Sequence, residues 1–280
     1  MLVAAFRGWN DGAQGASLAA SFLAQAWKAR RFADIDPEEF FDFQATRPHV
    51  ALEEGLTRRI DWPETAFYHA SIPGLERDAV LALGIEPNLR WRTFSDEVVE
   101  LARDLEVELV VTLGALLADV PHTRPAPVTG SASDPKLVEE LRLASSRYEG
   151  PTGIVGVVHD ACRRAELPSA SLWAAVPHYA SLAASPKAAL ALCLRLADLL
   201  GTEFDLADLE RASAAYETQV SEAVASDEET EAYVQQLEER RDALGEELDM
   251  PSGETLAAEL TRFLREHEAR RDEESSEEDA

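Results

Sequence analysis

With 280 residues and an apolar fraction of 46%, the chain can build one large domain, or a domain with an appendage, around a real core. Its formal net charge of −27 excludes the basic stripe that neutralises nucleic-acid phosphates and disfavours an anionic membrane surface. No run reaches the roughly 18 apolar residues that span a bilayer, and no basic start followed by an apolar run and a cleavage site signals a secretory leader.

In chain order, residues 2–6 predict a strand and residues 13–29 its following helix. Ala16, Ala19, Leu23 and Ala26 form one apolar face at spacings of three or four. Phe40–Phe43 predicts a short aromatic strand, and Thr65–Ala70 and Asp78–Gly84 two more. Ser95 is the expected cap of a helix running to Leu105, with Asp96 and Glu97 at its positive end. The apolar, β-branched run Val107–Leu117 predicts a strand buried on both faces. Helices follow at Pro135–Arg142, capped by Asp134, and at Gly153–Arg164. Ser171–Val176 predicts a further buried strand. Pro186 opens a helix that stops at Gly201.

Strands alternating with helices through residue 200 predict an α/β domain with helices on both sheet faces. Beyond it only helices are expected. Asp205–Ala225 carries Leu206, Leu209, Tyr216 and Val220 on one side. A second helix, entered by a Ser226/Glu229 capping box, runs to Leu248 with Tyr233, Leu237, Leu244 and Leu248 as its stripe. A last helix spans Gly253–Arg271. The division is a core domain over residues 1–203, a helical extension over 204–271 and a disordered acidic tail over 272–280. The helical stripes pack either on their own domain or on a neighbouring subunit. Residues 226–280 hold 20 acidic and 6 basic side chains, about half of the charge excess, which suits solubility or a basic partner.

Four polar segments are candidates for chemistry. In the first, "GWNDGAQG" has glycines at positions 8, 12 and 15, which fit neither the dinucleotide fingerprint nor a Walker loop. Asp11 repels phosphate but favours a helix N-terminus, so Asn10 and Asp11 either cap the helix or hold a neutral or cationic ligand. The second, "FDFQATRPHV", places Asp42, Gln44, Arg47 and His49 near an expected strand end, where open α/β sheets bind ligands; Asp42 and Arg47 are equally a plain ion pair. The third, residues 120–133, carries His122, Thr123, Arg124 and a set of small hydroxyl residues in a proline-rich loop held open. It lacks a nucleophile elbow. The fourth puts His159 beside Asp160, about 100° apart on a helix, so no two-histidine metal face forms. His178 and Tyr179 follow an expected strand end. Cys162 and Cys193 make no framework, as in a reduced cytoplasm.

These segments together resemble one family. "GWNDGAQGASLAASFL", "FFDFQATRP", "TLGALLADVPHTRPAPVTGSA" and "YEGPTGIVGVVHDACRRAELPSASLWAAVPHYAS" are similar, in order and spacing, to the proteasome-assembly-chaperone type 2 family in its actinobacterial branch. The resemblance covers residues 1–200 and extends to the C-terminal helices. It implies a three-layer α/β/α sandwich of the phosphorylase/hydrolase-like kind, with no settled catalytic residues, no cofactor and no metal. It also implies a homo-oligomer, a trimer, whose relatives assist assembly of the proteasome core particle. Proteasome-binding relatives can end in a hydrophobic residue, a tyrosine and any residue. This chain ends Glu278, Asp279, Ala280, which speaks against docking by such a tail. The expectation is therefore a cytoplasmic interaction protein whose partners are itself and proteasome subunits. The rival is a phosphorylase-like enzyme or small-ligand binder with a cleft built from Asn10, Asp11, Asp42, Arg47, His122, Arg124 and His178.

Overall fold

In the computed structural model, residues 1–53, 57–140, 143 and 149–244 are described. The expected helix over 253–271 and the tail over 272–280 lie outside them. Strand β1 (Leu2–Arg7) feeds a 3-10 turn (Gly12–Gln14) and helix α1 (Gly15–Ala26). Strand β2 (Arg30–Ile35) follows, then a hairpin of β3 (His49–Glu53) and β4 (Thr57–Asp61). Next come β5 (Thr65–Ser71), β6 (Asp78–Ile85), α2 (Trp91–Asp104), β7 (Val110–Ala118) and β8 (Val128–Ala132). The remaining elements are α3 (Pro135–Glu140), α4 (Ile154–Arg164), β9 (Ser169–Pro177), α5 (Pro186–Leu200), α6 (Ala207–Val224) and α7 (Glu228–Leu244).

Seven strands form one sheet in the order β2-β5-β6-β1-β7-β9-β8. The central four, β6, β1, β7 and β9, are parallel, and β5 and β8 run antiparallel to their neighbours. Side-chain alternation along β1 builds the two helical layers. Val3 and Ala5 face α1 and α5, joining Leu23, Leu192 and Leu196. Leu2, Ala4 and Phe6 face α2 and α4, joining Phe94, Val98, Ile154 and Val158. Continuous apolar strands are the consequence of this double cover. The architecture is the expected α/β fold with helices on both sheet faces, followed by C-terminal helices.

Five local expectations are corrected. Phe40–Phe43 is no strand. Phe40 and Phe41 are buried side chains of a loop behind a 3-10 turn (Pro37–Glu39), Phe40 packing edge-on to Phe94 at 5.4 Å. The strand at that edge is β2, whose exposed Arg30, Arg31 and Phe32 hide any alternation. Between Phe43 and Thr65, where no element is expected, residues behind Pro48 form the β3–β4 hairpin. The loop after β7 is not open throughout, because its end pairs with β9 as β8. Helix caps shift as well. α2 begins at Trp91 behind a left-handed Arg90, and Ser95 lies buried inside it. Asp227, not Ser226, caps α7, its carboxylate accepting from the Glu229 amide and the Thr230 hydroxyl. By contrast, Ser185 caps α5 through the Ala188 amide, and Gly201 closes it in the left-handed region.

Candidate functional site

The carboxyl ends of β1, β6, β7 and β9 meet on one rim, where open α/β sheets place their sites. Every candidate residue lies on that rim or on the loop bordering it, in three separate neighbourhoods.

The first is the β1 elbow. Asn10 is fully buried, and its side-chain amide donates to Glu86 Oε1 at 2.7 Å. The same oxygen accepts the Ile154 amide at 2.8 Å, and Oε2 accepts the Trp9 amide at 3.1 Å. Glu86 thus sits on the N-terminus of α4, where partial positive charge and free N–H groups favour an anion. The packing is tight enough to require glycine twice. A Cβ on Gly153 would lie 2.3 Å from Asn10 Nδ2, and one on Gly8, whose φ is +140°, would lie 2.8 Å from Glu86 Cβ. Asp11 treats α1 in the same way: its Oδ1 accepts the Ala16 amide at 2.9 Å and the Ser17 amide at 3.0 Å. Burial pushes the Asp11 carboxyl above its ordinary range, against the pull of those hydrogen bonds. Asn10 Oδ1 and Asp11 Oδ2 are buried acceptors without a partner among the described residues.

The second neighbourhood carries Asp42 and Arg47. Both are exposed. Asp42 Oδ1 accepts the Gln44 amide at 2.9 Å, closing a local turn, and the Asp42 amide donates to Asn88. Asp42 and Arg47 form no ion pair among the described residues.

The third gathers His122, Arg124 and His178 beneath α6 and α7. The backbone amide of the buried His122 donates to the Tyr179 hydroxyl at 2.8 Å. Its Nδ1 lies 2.8 Å from that hydroxyl, and its Nε2 lies 2.9 Å from Ser221 Oγ. Tyr179 oxygen already accepts one N–H, so its own proton is free for Nδ1; the ring is then neutral, with Nε2–H toward Ser221. Burial, then the Lys187 charge, hold the His122 pKa below its ordinary value, while Glu217 and Glu238 oppose them. Lys187 donates to the His122 carbonyl and to Glu217. Arg124 forks onto Asp242, Nε to Oδ1 at 2.9 Å and Nη2 to Oδ2 at 2.8 Å. Thr123 donates to Glu238. His178 Nδ1 lies 3.3 Å from Asp119 Oδ1 but out of line for a hydrogen bond; that oxygen accepts the Tyr233 hydroxyl at 2.9 Å. A cavity lined by His122, Ser185, Lys187 and Tyr216 has room for about one water.

The rim therefore spends its polar groups on caps, turns and clamps. Sequence reasoning missed Glu86, Lys187, Glu217, Glu238 and Asp242. Glu86 had one signal, its place just past a predicted strand end. The carboxylates of α6 and α7 had none, being lost among many acids. Among the described residues no group of three or more His, Cys, Asp or Glu side chains is placed to hold a metal, and no helix is long and apolar enough to cross a membrane. Cys162 and Cys193 are buried thiols, which burial pushes up to about 11 and about 12, far from thiolate reactivity.

No curated protein matches the chain. Solved structures do. A proteasome-assembly chaperone homologue from Mycobacterium tuberculosis is 46% identical, with a TM-score of 0.77 over 83% of this chain and 99% of that one. A PAC2 family protein from Streptomyces avermitilis is 47% identical, with a TM-score of 0.77 over 83% and 98%. An archaeal proteasome activator from Pyrococcus furiosus, 16% identical, has a TM-score of 0.65 over 79% and 92%, which shows a shared fold. The description "PAC2 family" matches residues 5–224, a span from the β1 elbow through the His122 clamp to the end of α6, and the chain is accordingly a member of that family, with actinobacterial proteins among its relatives.

Proposed function

We propose that this chain is a homo-oligomeric interaction protein of the proteasome-assembly-chaperone kind. It works in the cytoplasm, with proteasome subunits or another ring-forming partner as its client. One observation supports this most. The two helix N-termini that the rim could offer to a substrate anion hold the chain's own Glu86 and Asp11 carboxylates. The same rim turns apolar side chains outward. Trp9, Leu89 and Leu182 follow the ends of β1, β6 and β9, and all three are exposed. A rim with filled anion sites and exposed apolar groups suits contact with protein. The names of the mycobacterial and archaeal relatives point to the proteasome as client.

The test is affinity capture of the tagged full chain from its own cytoplasm, with the mass of the free chain measured in parallel. The expected result is recovery of proteasome subunits and a mass of several chains, a trimer in the form the family resemblance implies. Recovery of neither proteasome subunits nor any stable partner would end the proposal.

A second reading keeps a small ligand in play at the β1 elbow alone, at Asn10 and Asp11. Its support is the pair of buried acceptors Asn10 Oδ1 and Asp11 Oδ2, which have no partner among the described residues. A panel of nucleosides and phosphate esters that gives neither a thermal shift nor turnover disposes of it.

A further inference from the structure

The β3–β4 hairpin is a two-stranded sheet of its own. All five residues of β4 are exposed, and among the described residues β3 has no strand neighbour but β4. The register sets Val50 opposite Ile60 and Leu52 opposite Arg58. Alternation therefore puts Val50, Leu52 and Ile60 on one face together with Arg58, and Trp62 follows on the same side. That face is bare: Val50 is 61%, Leu52 67%, Ile60 51% and Trp62 48% exposed. At its base Trp62 packs against Phe43, ring centroids 4.8 Å apart. Five-residue strands at about 3.4 Å per residue give an arm roughly 17 Å long. An isolated two-stranded hairpin is marginal in water and needs a further surface against its apolar face.

Charge selects the occupant. Residues 46–62 carry three basic side chains, Arg47, Arg58 and Arg59, and three acidic ones, so the arm is neutral while the whole chain carries −27. Two copies repel over most of their surface but meet here without net charge. A strongly basic partner is drawn to the acidic remainder of the chain instead. We infer that the apolar face of the β3–β4 hairpin is covered by a second copy of this chain. The arm is then the self-association surface, an inference that rests on the homo-oligomeric reading above.

The test uses the full chain in sedimentation equilibrium from about 1 to 100 μM. Val50→Asp with Ile60→Lys puts two charges in the middle of the apolar face yet leaves opposite charges across the strand pair, which keeps the hairpin closed. Leu105→Asp, on the edge away from the rim, is the control. The wild type and the control are expected to associate alike, and the double variant to associate at least 100-fold more weakly with an unchanged circular dichroism spectrum. Amide exchange on the wild type needs no variant: protection in β3 should rise with protein concentration. An associated double variant, or concentration-independent exchange in β3 of an associating wild type, overturns the surface and leaves the homo-oligomeric reading standing. A wild type that is monomeric at 100 μM overturns both; protection of β3 in that monomer would assign the cover to residues 245–280 of the same chain.

Discussion

At the scale of single residues, Glu86 is the pivot of the rim. One carboxylate accepts the Trp9, Asn10 and Ile154 N–H groups, tying the exits of β1 and β6 to the start of α4. Glu86→Ala leaves those donors without their acceptor and the buried Asn10 amide wholly unpaired. The expected loss is about 2–4 kcal/mol of unfolding free energy, the range for buried donors stripped of a charged acceptor. The variant also opens a helix N-terminus to solution anions. Inorganic phosphate should therefore raise the melting midpoint of Glu86→Ala and leave the wild type unmoved. Equal response in both proteins would mean that the α4 N-terminus is not the anion site. Little of this could be seen in the sequence. Asn10 and Asp11 stand out between glycines, but Glu86 lies 76 positions from Asn10. The contact exists only because β1 pairs with β6.

At the scale of elements, the strands β1, β5, β6, β7 and β9 and the helices α1, α4, α5 and α6 were legible, because each carries a period or a stop that physics reads locally. What failed was set by distant partners. β8 is a strand because β9 offers an edge, and the phenylalanines at 40 and 41 are buried because Phe94 and its neighbours wait for them. The docking of α6 and α7 belongs to the same class. It combines an apolar stripe, with Val234 and Leu237 buried, and the polar clamp around His122, which is pH-sensitive. The folded-state pKa of His122 lies below 6.5, so its contribution is fully present above pH 6.5. That contribution is lost as pH falls from 6.5 through the folded pKa. Protonation at Nδ1 costs the acceptor that faces the Tyr179 hydroxyl, beside the Lys187 charge. Unfolding free energies measured between pH 5 and 7.5 should fall toward acid in the wild type. His122→Gln, less stable at neutral pH, should lack that part of the slope. Parallel curves for the two proteins would remove His122 from the clamp's titration.

At the scale of the whole molecule, the question is where the domain ends. Composition and the last predicted strand suggest a core over residues 1–203 followed by a helical extension over 204–271, packed on its own domain or on a neighbouring subunit. The burial pattern argues for the first of these packings, with α6 a part of the core. Leu206 and Leu209 belong to the apolar cluster between the sheet and α1 and α5, and Tyr216 and Val224 are buried as well. Each such side chain stabilises the fold by about 1.5–3 kcal/mol when removed from water. Losing four of them approaches the roughly 5–15 kcal/mol that holds a typical domain folded. It would also strip α5 of the helix packed against it, and leave Lys187 beside His122 without Glu217. A chain truncated after Glu203 should therefore lose its cooperative thermal transition and its near-ultraviolet circular dichroism, and should aggregate through α5. A truncated chain that melts cooperatively within a few degrees of the full one would restore residues 1–203 as a free-standing domain. It would also reduce α6 to an appendage whose apolar stripe adds nothing to the core.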